Sequence, residues 1–119
     1  YVALCMMSKS QLAQKKNAVG RQYAEMAQKS YPKEAQAYHL SGMAKMRLKD
    51  YDGAYEEFST YERLLPGDPN TIFFKGRCQE GMNQVPQAAD EYYRYLQVVQ
   101  QGQHAQHAYK KLKDWGYIK

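Results

Sequence analysis

Small and apolar residues recur every three or four positions along this chain, and the pattern as a whole recurs after 34 residues. Gly42 is followed twelve residues later by Ala54, and Gly76 twelve residues later by Ala88. Phe58 and Tyr92 keep the 34-residue step, as do Tyr61 and Tyr95, Tyr38 and Ile72, Leu40 and Phe74, and Ala44 and Cys78. One period earlier the register meets Leu4, Met6, Ser8, Gly20, Ala24 and Ala27, and Pro32 and Pro66 share one position. Spacing by three and four is the helical period. Residues 1–34, 35–68 and 69–102 therefore read as three repeats of a two-helix unit, with 103–119 as a further half repeat. Arrays of this kind stack each unit on its neighbours and serve to hold other molecules.

The spacing predicts seven helices, over about 2–14, 18–30, 35–48, 52–64, 69–82, 86–99 and 103–115. Lys15-Lys16-Asn17 ends the first, and Pro32 stops the second because proline lacks an N–H and disfavours helix before it. Asp50 or Asp52 can cap the fourth helix, and Asp68-Pro69 puts cap and proline where the fifth begins. Gly102 is expected to end the sixth helix and Gly116 the last. Ala105, Ala108 and Leu112 make one face of the last helix apolar, opposite Gln103, Gln106, Lys110, Lys111 and Lys113. That is the pattern of a capping helix, with Trp115 packing back beneath it.

Within each repeat, numbered from Tyr1, Ala35, Pro69 and Gln103, small residues at positions 8 and 20 let two antiparallel helices approach closely. Aromatics at positions 24 and 27 are expected to fill the space between repeats. The packing set is Gly42, Ala54, Phe58, Gly76, Ala88 and Tyr92. With Tyr38, Gly42, Tyr51, Ala54, Phe58 and Pro66, the middle repeat resembles a tetratricopeptide repeat (TPR), and the resemblance covers essentially the whole chain. It implies an all-α, right-handed α-solenoid of three TPR helix-turn-helix repeats plus a C-terminal capping helix. Two positions depart from the family, which has a large apolar residue at 7 and an aromatic at 11. Here they hold Met7, Ser41 and Lys75, then Gln11, Lys45 and Gln79. In repeats two and three the apolar stripe has moved to positions 6, 10 and 14, which reads as a small rotation of each first helix.

Charge narrows the function. The net +5 is split as +4 over residues 1–34, −2 over 35–68, zero over 69–102 and +3 over the tail. A nucleic-acid surface would concentrate its cations among exposed aromatics, whereas these aromatics occupy packing positions, so no nucleic-acid partner is expected. No run of about 18 apolar residues exists, so direct membrane insertion is not expected either. Cys5 and Cys78 lie two repeats apart and read as free thiols, Cys78 in the core and Cys5 at an exposed edge. Periplasmic and cytoplasmic settings both fit. The start, Tyr1-Val2-Ala3-Leu4-Cys5-Met6-Met7, is apolar on every face. It reads as the cut edge of a longer protein, able to dock on an upstream domain of the same chain.

Candidate chemistry is sparse. His104 and His107 are spaced as two metal ligands on one helix, but no Cys, Asp or Glu joins them at ligand spacing, so they read as solvated and no metal or cofactor is expected. No HExxH pair, phosphate loop or nucleophile elbow is present, and the expectation is no enzyme activity. Asp50, Asp52, Glu56 and Glu57 read as a solvated acidic helix start. The resemblance supplies the better site. In TPR arrays, positions 2, 5, 9 and 12 of successive first helices line a concave groove. Repeat one contributes Val2, Cys5, Lys9 and Leu12. Repeat two contributes Gln36, His39, Met43 and Met46, and repeat three Asn70, Phe73, Arg77 and Glu80. Methionines adapt to irregular partners and arginine can grip a carboxylate, so the implied partner is a protein or peptide segment bearing an acid.

The TPR domains that clamp acidic chaperone tails use Lys at position 5 and Asn at 9 of their first repeat, then Asn at 6 of the next. Here those positions hold Cys5, Lys9 and Leu40, so that clamp is not expected. The ending Tyr95-Leu96, Gly102, Ala105, Ala108, Leu112 and Trp115-Gly116-Tyr117 also resembles the end of bacterial membrane-associated zinc metallopeptidases that carry a TPR module. That resemblance implies a substrate-docking or autoregulatory arm. A third reading is a structural stack within a longer solenoid.

Overall fold

Seven helices form, in a computed structural model that describes residues 1–119: α1 (Val2–Ala13), α2 (Asn17–Ser30), α3 (Gln36–Arg47), α4 (Tyr51–Leu64), α5 (Pro69–Gly81), α6 (Val85–Val98) and α7 (Gln103–Asp114). Each end falls within one residue of its expected position. No strand is present. The chain divides into two compact units, Tyr1–Pro66 with α1 to α4 and Gly67–Lys119 with α5 to α7.

The turns explain why the helices stop so sharply. After α1, α3 and α5 the chain enters the left-handed region at one shared register position, with φ of 62° at Lys15, 65° at Lys49 and 59° at Asn83. Each turn closes with the same two hydrogen bonds. Lys16 N donates to Gln11 O and Lys15 N to Leu12 O, and the pattern recurs from Asp50 to Lys45 and Lys49 to Met46, and from Gln84 to Gln79 and Asn83 to Glu80. This is the Schellman arrangement, which satisfies carbonyls that a helix end would leave bare. α7 ends the same way with Gly116 at φ 83°. Asp50 and Asp68 cap the starts of α4 and α5, accepting from Gly53 N at 3.1 Å and Asn70 N at 3.0 Å. Gly102 does not end α6. That helix stops at Val98, and Gly102 is the N-cap of α7, with φ 102°.

In the first unit, α1 packs on α2, α2 on α3 and α3 on α4. Phe58 of α4 lies directly over Gly42 of α3, and a methyl group at Gly42 would sit 2.9 Å from its ring. In the second unit the same relation holds between Gly76 of α5 and Tyr92 of α6, at 2.7 Å. The aromatics at position 24 thus fill space inside their own helix pair, and Tyr92 also meets His107 and Trp115 of the half repeat that follows, at 5.7 and 6.0 Å. The reason is the missing Cβ opposite each ring: contact this close forbids any larger residue. Ala54, Phe58, Ala88 and Tyr92 are all fully buried.

The displaced apolar stripe is not a rotation of the first helices. Ser41, Lys75 and Gln79 are buried, so positions 7 and 11 still face inward, while Leu48 at position 14 is exposed. Lys45, at position 11 of the second repeat, is held there by a partner. In the first unit Lys45 donates to Glu57 at 3.1 Å, and Gln28 donates to the same carboxylate. Partial burial of the pair is sustained because Lys45 and Glu57 offset each other's charge and Glu57 accepts a further hydrogen bond from Gln28.

Candidate functional site

In the first unit the expected groove residues lie along α3. Gln36 is exposed, and His39, Met43 and Met46 are half-buried. Ala37, Leu40, Ser41 and Ala44, on the other faces of the helix, are sealed. Met43 rests on the cluster formed by Cys5, Leu12, Ala24, Ala27, Ala37, Leu40 and Ala44. The His39 ring packs edge-on to Phe58 at 5.8 Å and tilts against Tyr61 at 5.2 Å. α1 contributes less than expected, because Cys5 and Leu12 are buried in that same cluster. Cys5 is therefore not an exposed edge residue. Tyr1 Oη accepts from Ala37 N at 3.1 Å, and Arg47 donates to Leu12 O at 3.0 Å, tying α1 to α3 over it.

In the second unit Asn70 is exposed, Arg77 and Glu80 are half-buried, and Phe73 is not on the surface at all. Phe73 is 1% exposed and sits among Tyr92, Tyr95 and His104, whose ring stacks on it at 4.2 Å and 21°. A large apolar ring beside α7 gains more from burial than from facing solvent, which removes Phe73 from any contact surface. His104 is not simply solvated: it also meets Phe74 edge-on at 5.4 Å.

Glu80 organises the polar contacts of α5, α6 and α7. Its carboxylate accepts from Tyr92 Oη at 2.6 Å, lies 3.0 Å from His107 Nε2, and stands 3.6 Å from Lys111 Nζ. Burial by itself would raise the Glu80 carboxyl. The hydrogen bonds from His107 and Tyr92, with the charges of His107 and Lys111, outweigh it and hold the group at about 2. Burial and the Glu80 carboxylate push the Tyr92 hydroxyl up. Burial, together with Arg77 and His107, lowers His104. His104, His107 and Lys111 were not anticipated as face residues, although the signal was present. Counted from Gln103 they stand at positions 2, 5 and 9, the positions of Asn70, Phe73 and Arg77 one period earlier.

Burial pushes the Cys78 thiol up to about 12, so it is protonated and enclosed. Cys5 and Cys78 are both free. No group of three His, Cys, Asp or Glu side chains is placed to hold a metal ion. No helix is long and apolar enough to cross a membrane.

No protein-family model and no curated protein matches the chain. Solved structures match its fold. The Arabidopsis OM64 TPR domain is 16% identical, with 95% of this chain and 93% of that one covered, at a TM-score of 0.86. The first TPR of Spaghetti (RPAP3), bound to the HSP90 peptide SRMEEVD, is 14% identical over 98% of this chain and 93% of that one, at 0.87. The second TPR domain of human RPAP3, in complex with the HSP70 peptide SGPTIEEVD, is 12% identical over 93% and 96%, at 0.80. Likeness at these identities is likeness of architecture. With seven helices in the expected order, glycine-to-ring contacts inside its helix pairs and these neighbours, the chain has the all-helical fold of tetratricopeptide-repeat domains.

Proposed function

We propose that the chain is a non-enzymatic interaction module that takes a peptide or partner segment along the face of its first helices. The observation that carries this reading is the state of Met43 and Met46. They are half-buried on one face of α3, while Leu40 and Ala44 beside them are sealed. Adaptable thioethers left partly open suit an irregular apolar ligand. In the second unit Arg77 and Lys111, both at position 9, are cations of its own face and suit a segment that carries an acid. Gln36, Asn70 and Glu80 supply polar contacts, and His39 a ring held against Phe58 and Tyr61.

The ligand differs in kind from the chaperone tails bound by the RPAP3 domains. Cys5 and Leu40, at two of the clamp positions, are buried, and Lys9 stands where that clamp has an amide. SRMEEVD is therefore expected to bind no better than its scrambled form. The deciding experiment selects ten-residue peptides from a phage-displayed library against the full chain. Met43→Glu with Met46→Glu should abolish their capture and leave helical circular dichroism intact. Capture that survives this double variant refutes the assignment.

A further inference from the structure

A second groove lies between α6 and α7, and none of the first-helix face residues lines it. Its volume is about 640 Å³, with Tyr93 and Leu96 on one wall and Tyr109 and Ile118 on the other. Tyr93 and Tyr109 are each 53% exposed. The charged residues that line it are Lys110 and Lys113, and no acid is among them. An apolar trough with a rim of a single charge sign calls for an occupant of complementary charge.

The first unit shows what such a trough holds when it is filled. There Gln28 of α2 and Lys45 of α3 both grip Glu57 of α4. Gln28 and Leu96 share one register position, and Lys45 and Lys113 share another. The corner of α6 and α7 that holds Leu96 and Lys113 thus repeats the corner of α2 and α3 on which α4 sits. One position differs. Gly42, where a Cβ would meet the Phe58 ring at 2.9 Å, corresponds to Lys110 on α7. A helix with a bulky ring at that point would collide with the lysine stem, so the site rejects a close copy of α4 and accepts one with a small residue there.

We infer that the α6–α7 groove docks an amphipathic helix from a partner protein, one that sets a carboxylate against Lys113, apolar residues against Tyr93, Leu96 and Tyr109, and a small residue over Lys110. This site is independent of the first-helix face and needs none of its residues.

The probe is a fluorescent 14-residue peptide with the sequence of residues 51–64 and Phe58→Ala, stapled on its solvent side to hold it helical. Titrated with the full chain, it should bind saturably. Lys113→Glu in the chain, or Glu57→Gln in the peptide, should weaken binding about fivefold, the scale of one partly exposed ion pair. Lys113→Glu paired with a Glu57→Lys peptide should recover most of that loss. Tyr93→Ala with Tyr109→Ala should abolish binding while circular dichroism stays unchanged, both side chains being exposed. Three results overturn the inference: no binding; binding that ignores these variants and falls with Met43→Glu and Met46→Glu; or sedimentation showing a dimer that Tyr93→Ala dissolves, which would make a second copy the occupant.

Discussion

The first helix pair and the third follow the same backbone plan and fill it from opposite sides. In α5/α6 the close-approach glycine is on the first helix, Gly76, and the filler, Tyr92, comes from the second. In α1/α2 the glycine is on the second helix, Gly20, and the filler is Leu12 from the first, 2.8 Å from where a methyl on Gly20 would sit. Ser8 stands where Gly76 stands two pairs later. With Ala24 opposite in place of an aromatic, it has room, and its hydroxyl donates to the Gly20 carbonyl at 2.8 Å. The constraint on the fold is therefore the sum across the interface, one small partner for each large one, and not a fixed residue at a fixed position. Position 12 carries the other difference. Leu12 is buried among apolar residues, whereas Glu80 holds Tyr92, His107 and Lys111.

The largest effect expected is Tyr92→Ala. Tyr92 is fully buried, and its loss should cost about 4 kcal/mol in urea unfolding. A cost below about 1 kcal/mol would mean that the third pair does not depend on its ring.

Acid should separate the two pairs next. Glu80 titrates at about 2 in the folded chain, below the ordinary carboxylate value of about 4.3. A depressed carboxylate stabilises the fold above its unfolded value, and that contribution is lost as pH falls through the folded one. Between about pH 4.5 and pH 2 the third pair should lose up to about 3 kcal/mol. Amide exchange followed by NMR should show α5 and α6 loosening ahead of α1 and α2. Glu80→Gln should flatten that part of the profile, and an unchanged profile would remove the Glu80 network from the account.

Gly76→Ala should cost about 2 kcal/mol through collision with the Tyr92 ring. Combined with Tyr92→Ala, it should cost less than the two singles added, because the methyl enters the space the ring vacated. Strict additivity would mean that the two residues do not face each other. In the second pair, Ala54→Leu should strain the packing by about 1–3 kcal/mol. The smallest effect is a gain. Lys15 and Lys49 hold left-handed φ values that a side chain disfavours, so Lys15→Gly or Lys49→Gly should each add about 1 kcal/mol. Asn83→Gly should add less, since asparagine tolerates that region better than lysine.

Much of the candidate face could be placed by register alone, since Gln36, Met43, Met46, Arg77 and Glu80 are at least partly open on first helices. Phe73 could not. Position 5 leaves His39 half-buried in α3 but seals Phe73 in α5, and nothing in the 34-residue period separates the two. The seal comes from His104, stacked on Phe73 at 4.2 Å from the half repeat that follows. Cys5 went astray for the same reason, because its cover comes from α3 and α2.

By itself the sequence determined the seven helices and, to within one residue, their ends. These follow from local chemistry: the 3.6-residue period, prolines that cannot continue a helix, and caps that accept bare N–H groups. Only the tertiary structure decided which side of each pair supplies the bulk, why Lys45 can lie inward, and that Glu80 is the hub of a network reaching into α7. Those outcomes depend on partners between about 12 and 31 positions away in sequence, from Lys45 and Glu57 to Glu80 and Lys111. Burial and charge pairing at such distances are settled by what folds against a residue, and not by its neighbours along the chain.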